Sequence, residues 1–338
     1  MLAKTLISLV TASSVAVSSA VAGPALLFDA ASGRVLYAED QDNQWHPASL
    51  TKIMTAYLVF EALREGKLTL QQKIPCSELA HSQAPSRIGI PVGTEITVET
   101  ALQALIVKSA NDAAIMLAEA VAGSQEAFVA RMNAAMAKLG MSRTLFANAN
   151  GLPAPEQVTT ARDMARLTAA VLRDFPDQAH LWSMEDMRVG KRRLRSHNSL
   201  LRNYDGADGI KTGFICDSGF NVVASATRDG RRLVAVVLGE VTGRERSARA
   251  ANLLEHGFQT YGWKVLFGTE NLTTMPIPAD AKGVESIRSS VKSWACGYRP
   301  KGALAKRAKR KKAKAAANRK PGTTASKQSG KVSAQAKD

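Results

Sequence analysis

The spacing of apolar and polar positions changes several times along the chain of 338 residues. Ala25-Leu26-Leu27-Phe28-Asp29 and Arg34-Val35-Leu36-Tyr37-Ala38 are short strand-like runs separated by Ala30-Ala31-Ser32-Gly33, which predicts a hairpin. After His46-Pro47-Ala48-Ser49-Leu50-Thr51-Lys52, the residues Ile53 to Leu63 are apolar around nearly the whole circumference of a helix. A buried central helix is expected there, with Pro47 at its entry. Residues 67–98 carry scattered Gly, Pro and Thr and read as loops and short strands. Thr100 to Val121 is helical in pattern and rich in alanine but is broken at Lys108-Ser109-Ala110-Asn111-Asp112, and another helix is expected from about Gln125 to Leu139. Asn148 to Pro153 is a turn cluster, and Thr160 suits the N-cap of a helix through Arg173. Strands are predicted at Met187–Arg195, Gly209–Cys216, Asn221–Thr227 and Arg232–Leu238, the last two joined by the turn Arg228-Asp229-Gly230-Arg231, before a final helix from about Arg244 to Tyr261. Strands at both ends with helices between them predict an α/β (α+β) domain. Its antiparallel sheet is built from both ends of the domain and flanked by helices, a helical subdomain is inserted, and the active site lies at their junction.

Composition sharpens the boundaries. With 45% hydrophobic residues the chain can bury a sizeable core. Residues 1–22 resemble a secretory signal: Lys4, an apolar stretch from Leu6 to Val17, then Ala20-Val21-Ala22 before Gly23 as a cleavage site. That reading places the mature protein in the periplasm or cell envelope. Three cysteines, Cys76, Cys216 and Cys296, imply no disulfide scaffold, and Cys216 reads as a small buried residue. Neither metal-ligand spacing nor a glycine-rich phosphate loop is present, so no cofactor is expected. The net charge of +16 is concentrated in the tail: Arg299 to Asp338 holds ten Lys and four Arg against one acid. Ala303 to Lys320 is almost entirely Ala, Lys and Arg and cannot bury enough apolar area to fold alone. The expected organisation is a signal peptide (1–22), a catalytic domain (23–268), a short post-catalytic segment (269–298) and a disordered basic tail (299–338).

Candidate chemistry centres on the start of the central helix. Ser49 and Lys52 are three apart and share a helix face, so hydroxyl and amine can meet. A buried lysine tends to lose its proton and can then serve as a base for the serine. An isolated S-x-x-K is more often a helix cap with a solvated lysine, and Ser289-Ser290-Val291-Lys292 is a second match with no apolar helix behind it. Two further marks follow in chain order, Ser109-Ala110-Asn111 at a break between helices and Lys211-Thr212-Gly213 on a predicted strand. The set S-x-x-K, S-D-N and K-T-G is associated with penicillin-binding proteins and class A β-lactamases, and Ser109-Ala110-Asn111 is a looser S-x-N match to its second member.

Residues 24 to about 262 resemble the serine D-alanyl-D-alanine carboxypeptidases, the low-molecular-mass penicillin-binding proteins. The likeness extends to Pro47–Lys52, Lys108–Ala113, Asn150-Gly151-Leu152, Thr160–Met164 and Asp208–Phe214. The resemblance implies a β-lactamase/transpeptidase-like fold and a role for each marked residue. Ser49 attacks the terminal D-Ala-D-Ala carbonyl of a peptidoglycan stem peptide, and Lys52 takes its proton. Ser109 relays a proton to the leaving amine, and Asn111 offers its amide to Lys52 and to the substrate. Lys211 and Thr212 meet the terminal carboxylate, Gly213 lets the substrate lie along the strand edge, and the backbone N–H groups of Ser49 and Phe214 form the oxyanion hole. Arg244 resembles an arginine that the family uses near that carboxylate. Asp208 reads as a turn or strand-end residue, and His197 and Asn198 need no chemical role.

No E-x-x-L-N stretch lies between Asn111 and Lys211, and Glu156 has an unlike setting, so β-lactams are expected to acylate Ser49 and stay attached. Many relatives carry a β-rich second domain and an amphipathic membrane helix; here residues 269–298 are too short for the first, and the tail lacks bulky apolar residues for the second. Anionic envelope polymers or lipid head groups suit the tail better than nucleic acid, for which it has no stacking aromatics. A D,D-endopeptidase cutting cross-links and a non-catalytic envelope-binding protein remain as rival readings.

Overall fold

The computed structural model describes residues 23–267 and 270–299; the signal-like residues 1–22 and the tail from residue 300 onward lie outside the described residues. The chain forms two compact units that divide between Lys292 and Ser293. In chain order the first contains β1 (Ala25–Asp29), β2 (Val35–Glu39), α1 (Lys52–Arg64), β3 (Lys73–Pro75), α2 (Glu78–Ser82), β4 (Glu95–Thr97), α3 (Val98–Gln103), α4 (Asn111–Ala122), α5 (Gln125–Lys138), α6 (Ala161–Asp174), β5 (Asp186–Val189), β6 (Arg192–Arg195), α7 (Leu200–Asn203), β7 (Ala207–Ile215), β8 (Gly219–Arg228), β9 (Arg231–Glu240) and α8 (Gly243–Phe267).

Five strands form one sheet in the order β2-β1-β9-β8-β7. All neighbours are antiparallel, and β1 pairs with β9 from Ala25↔Val237 to Asp29↔Leu233. The sheet is therefore built from both ends of the domain. Alternation along its strands feeds two cores. Ala25, Leu27, Leu233, Ala235 and Val237 face α8 with its Ala250, Leu253 and Leu254. Leu26, Phe28, Val234, Val236 and Leu238 face the helical side, where α1 is buried. Strands covered on both faces read as continuous apolar runs, as β1 and β9 do.

Several elements sit where the sequence places them. Thr160 caps α6, its hydroxyl accepting from Asp163 N at 3.0 Å. The break expected near Lys108 is a π-turn, Ala104–Lys108, ending at Ser109 with φ +58° before α4 begins. One strand differs. Met187–Arg195 is not a single strand of the main sheet but a separate hairpin, β5 with β6. Gly190 takes a left-handed φ of +54° at its turn, and the many exposed cations of this stretch could not be buried between two layers.

Residues 270–292 belong to the first unit rather than forming a separate segment. Leu272 and Met275 are buried in the same core as α1. Arg162 of α6 donates to the carbonyls of Met275 and Pro276 and pairs with Asp42, both side chains being almost fully enclosed. The described part of the second unit is short: a 3-10 turn at Trp294–Cys296, with the Arg299 guanidinium 4.6 Å from the Trp294 ring centroid.

Candidate active site

A 3-10 turn, Ala48–Thr51, leads into α1 and carries Ser49. Ala48 holds a φ of +49°, a conformation costing a non-glycine residue about 1 kcal/mol or more. Gly151 packs against this turn; a Cβ on it would lie 1.9 Å from the Ala48 carbonyl oxygen, so only glycine fits.

Lys52 Nζ lies 3.0 Å from Ser49 Oγ and 2.7 Å from Asn111 Oδ1, and it also donates to the carbonyl oxygen of Asn150. The side chain is 1% exposed. Burial lowers its pKa well below the ordinary lysine value, the nearby Lys211 charge adds to that, and Asp112 opposes it. Asn111 starts α4 and is fixed by a bond from its Nδ2 to the Ala84 carbonyl at 2.8 Å and one from its backbone N–H to Ser86 O at 2.7 Å.

A second amine and hydroxyl face this pair. Lys211 Nζ donates to Ser109 Oγ at 2.8 Å and to its neighbour Thr212 O at 2.9 Å. Lys211 is also enclosed, and burial together with the Arg246 guanidinium brings its pKa down to about 7. Ser49, Ser109, Asn111, Thr212, Gly213 and Phe214 all line one open cleft of about 410 Å³. The two lysines do not line it; each sits behind a serine hydroxyl.

β7 is the edge strand of the sheet, so one side of its backbone is free of strand partners and borders the cleft. Gly213 has a reason the sequence does not reveal. A Cβ there would lie 2.9 Å from Pro47 O and 3.2 Å from the backbone nitrogens of Ser49 and Leu50, so the absent side chain lets β7 pack on the nucleophile's turn.

Arg244 requires a correction. It is exposed and does not line the cleft, whereas Arg246 is buried and does. Thr242 starts the helix, bonding Glu245 through its hydroxyl, and the buried stripe then runs Arg246, Ala250, Leu253, Leu254. Arg244 is out of phase with that stripe. Burial pushes the Arg246 guanidinium down to about 10.

His197, given no role from sequence, lines the cleft mouth while staying exposed. Partial desolvation of its ring at the cleft, then the charges of Lys211, Lys108 and Arg246, lower its pKa to about 4. Its place follows from β6 and β7, between which it lies, a signal visible only once the strands are paired. Asn198 donates to Gly209 O at 3.0 Å, and Asp208 accepts from Ser225, Thr227 and Arg232, tying β7 to β8 and β9. Cys216 is half-buried and disulfide-bonded rather than a small buried thiol; Cys76 is the buried free one. Glu156 is exposed, and neither it nor Ser289 and Lys292 of the second S-x-x-K lines the cleft.

A two-ended antiparallel sheet with an inserted helical subdomain, and with a serine and a lysine at their junction, defines the β-lactamase/transpeptidase-like class of penicillin-binding folds. Comparison with known proteins agrees. The profile of the D-alanyl-D-alanine carboxypeptidases, peptidase S11, matches residues 10–242. The D-alanyl-D-alanine carboxypeptidase DacC of Escherichia coli K12 is 40% identical over 243 residues, 70% of this chain and 61% of that protein. The chain thus spans about three fifths of the length of that curated relative. The crystal structure of penicillin-binding protein 5 from Haemophilus influenzae superposes with a TM-score of 0.68 at 35% identity, covering 70% of this chain and 71% of that one. Penicillin-binding protein D2 from Listeria monocytogenes, in its ampicillin-bound form, does so with a TM-score of 0.64 at 31% identity over 70% of this chain and 97% of that one. The chain belongs to the D-alanyl-D-alanine carboxypeptidase family of serine peptidases.

Proposed function

We propose that the protein is an exported D-alanyl-D-alanine carboxypeptidase that removes the terminal D-Ala of peptidoglycan stem peptides through an acyl-enzyme on Ser49. The observation that carries this reading is the environment of Lys52. Its amine is sealed from solvent, two carbonyl acceptors occupy two N–H bonds, and Ser49 Oγ lies 3.0 Å away where the lone pair of the neutral amine remains. A neutral Lys52 takes the Ser49 proton as the oxygen bonds to the scissile carbonyl.

The substrate adds as a further strand to the open edge of β7, with its carbonyl oxygen on the N–H groups of Ser49 and Phe214. Its terminal carboxylate meets the Thr212 hydroxyl and the charges of Lys211 and Arg246. Ser109, held by Lys211, relays the proton that Lys52 took to the nitrogen of the departing D-Ala as the C–N bond breaks, which returns Lys52 to the neutral amine. Water then resolves the ester with Lys52 as base. Asn111 keeps Lys52 aimed, through its Oδ1 acceptor.

Export rests on residues 1–22 and their A-x-A site. Among the described residues no glutamate lines the cleft to drive a deacylating water, so a β-lactam remains on Ser49. Intact-mass measurement after penicillin treatment, with peptide mapping, should give one adduct on the peptide holding Ser49 and none in Ser49→Ala. Release of D-alanine from a soluble pentapeptide should fall by roughly a thousandfold or more in that variant. An adduct elsewhere, or rapid turnover of a chromogenic β-lactam, overturns the mechanism. Cleavage of a cross-linked dimer with no release of D-alanine from the pentapeptide replaces it with an endopeptidase.

A further inference from the structure

The β5–β6 hairpin carries a charge pattern that packing does not explain. Met187 and Leu194, opposite each other in its register, are buried against the domain. Arg188, Lys191, Arg192, Arg193 and Arg195 are all exposed. Register sets Arg188 directly across from Arg193, an arrangement of like charges that weakens a strand pair. Among the described residues Arg193 alone of the five has a carboxylate within ion-pair distance, that of Asp186 at 2.5 Å. Arg192 donates to the Ile88 carbonyl at 2.8 Å, which fixes the hairpin to the loop running from Ser86 but neutralises nothing. Asp186, opposite Arg195 in the register, is the one carboxylate between residues 186 and 195 against five cations, and that excess is useful for attracting an anion.

Its position selects the anion. β6 runs through Ser196 directly into His197 at the cleft mouth, and the loop held by Arg192 begins at Ser86, which also lines the cleft. Whatever meets the hairpin therefore meets an element joined at two points to the cleft lining. We propose that this basic hairpin is a docking surface for the carboxylates of neighbouring stem peptides on the peptidoglycan polymer, holding the polymer while one peptide enters the cleft. The proposal rests on the peptidase reading above. Stem peptides are favoured over lipid head groups because only the polymer reaches hairpin and cleft together as a single molecule.

The test uses the full chain and the triple variant R188Q/K191Q/R195Q, which leaves Arg192, Arg193 and the cleft residues in place. Release of D-alanine is measured from isolated pentapeptide-rich sacculi and from a soluble pentapeptide, each at low and high salt. The expected result is a roughly tenfold loss on sacculi at low salt that shrinks at high salt, with the soluble peptide turned over as by wild type. Equal loss on both substrates means the cations act through the fold, and no loss on sacculi means they do not dock the polymer; either result overturns the proposal. A wild-type chain inactive on the soluble peptide would refute the carboxypeptidase reading instead. Co-sedimentation with sacculi would then decide the hairpin, with weaker low-salt binding by the variant supporting it and equal binding ending it. Loss of binding to phosphatidylglycerol vesicles with unchanged action on sacculi would assign the surface to lipid and overturn it as well.

Discussion

Lys52 and Lys211 hold their protons less firmly in the folded chain than an unfolded lysine does. Between about pH 7, where folded Lys211 titrates, and its ordinary value of 10.5, the unfolded state binds more protons than the native one. Stability of the ligand-free protein therefore rises with pH across that window, and below pH 7 the full cost of the buried charge is present. The expected outcome is a melting temperature that climbs from pH 7 to 9.5 and climbs less in Lys211→Met. Equal slopes would show that the buried ammonium is not the cause. Ser49, Lys52, Ser109, Asn111 and Lys211 were legible because each motif ties its residues to a short spacing. Arg246 belongs to no motif, and the family likeness at Gly243-Arg244-Glu245 falls on its neighbour. Its phase with Ala250, Leu253 and Leu254 was the available signal.

At the scale of elements, α1, β1, β8 and β9 were legible because runs buried on all sides need no partner to be recognised. The hairpin β5–β6 was not, since a stretch with one buried residue on each strand reads as a single irregular strand until the turn at Gly190 is known. Contacts between elements were the least visible. Gly213 has to be small for a backbone that arrives from residues 47–50, and nothing local records this. The atoms a new Cβ would meet are backbone and cannot rotate aside, so Gly213→Ala must shift β7 away from the Ser49 turn. A destabilisation of about 1–3 kcal/mol by denaturant unfolding is expected, with penicillin acylation slowed at least about tenfold. Unchanged acylation would mean that the spacing of these two elements does not control the reaction.

Across the whole molecule charge is divided unevenly, with residues 1–298 close to neutral and the tail strongly cationic. The tail is proposed to hold the enzyme to anionic envelope polymers by screening-sensitive attraction. Removal of residues 299–338 should lower retention on isolated envelopes at low salt and make little difference at high salt; equal retention at low salt would remove the idea. The packing of Leu272 and Met275 is hard to read from sequence, because they are few in number and Arg162 and Asp42, which hold the chain beside them, lie far away in it.

β1 lies between β2 and β9, and among the described residues β7 joins the sheet through β8 alone. A newborn polypeptide shows Ser49 to its surroundings long before Lys211 exists, and the cradle for both waits until residue 240 has been threaded into place. Until then the hydroxyl has no enclosed amine beside it and is as inert as any other alcohol. On the peptidase reading proposed above, hydrolytic power depends on that last strand being in place.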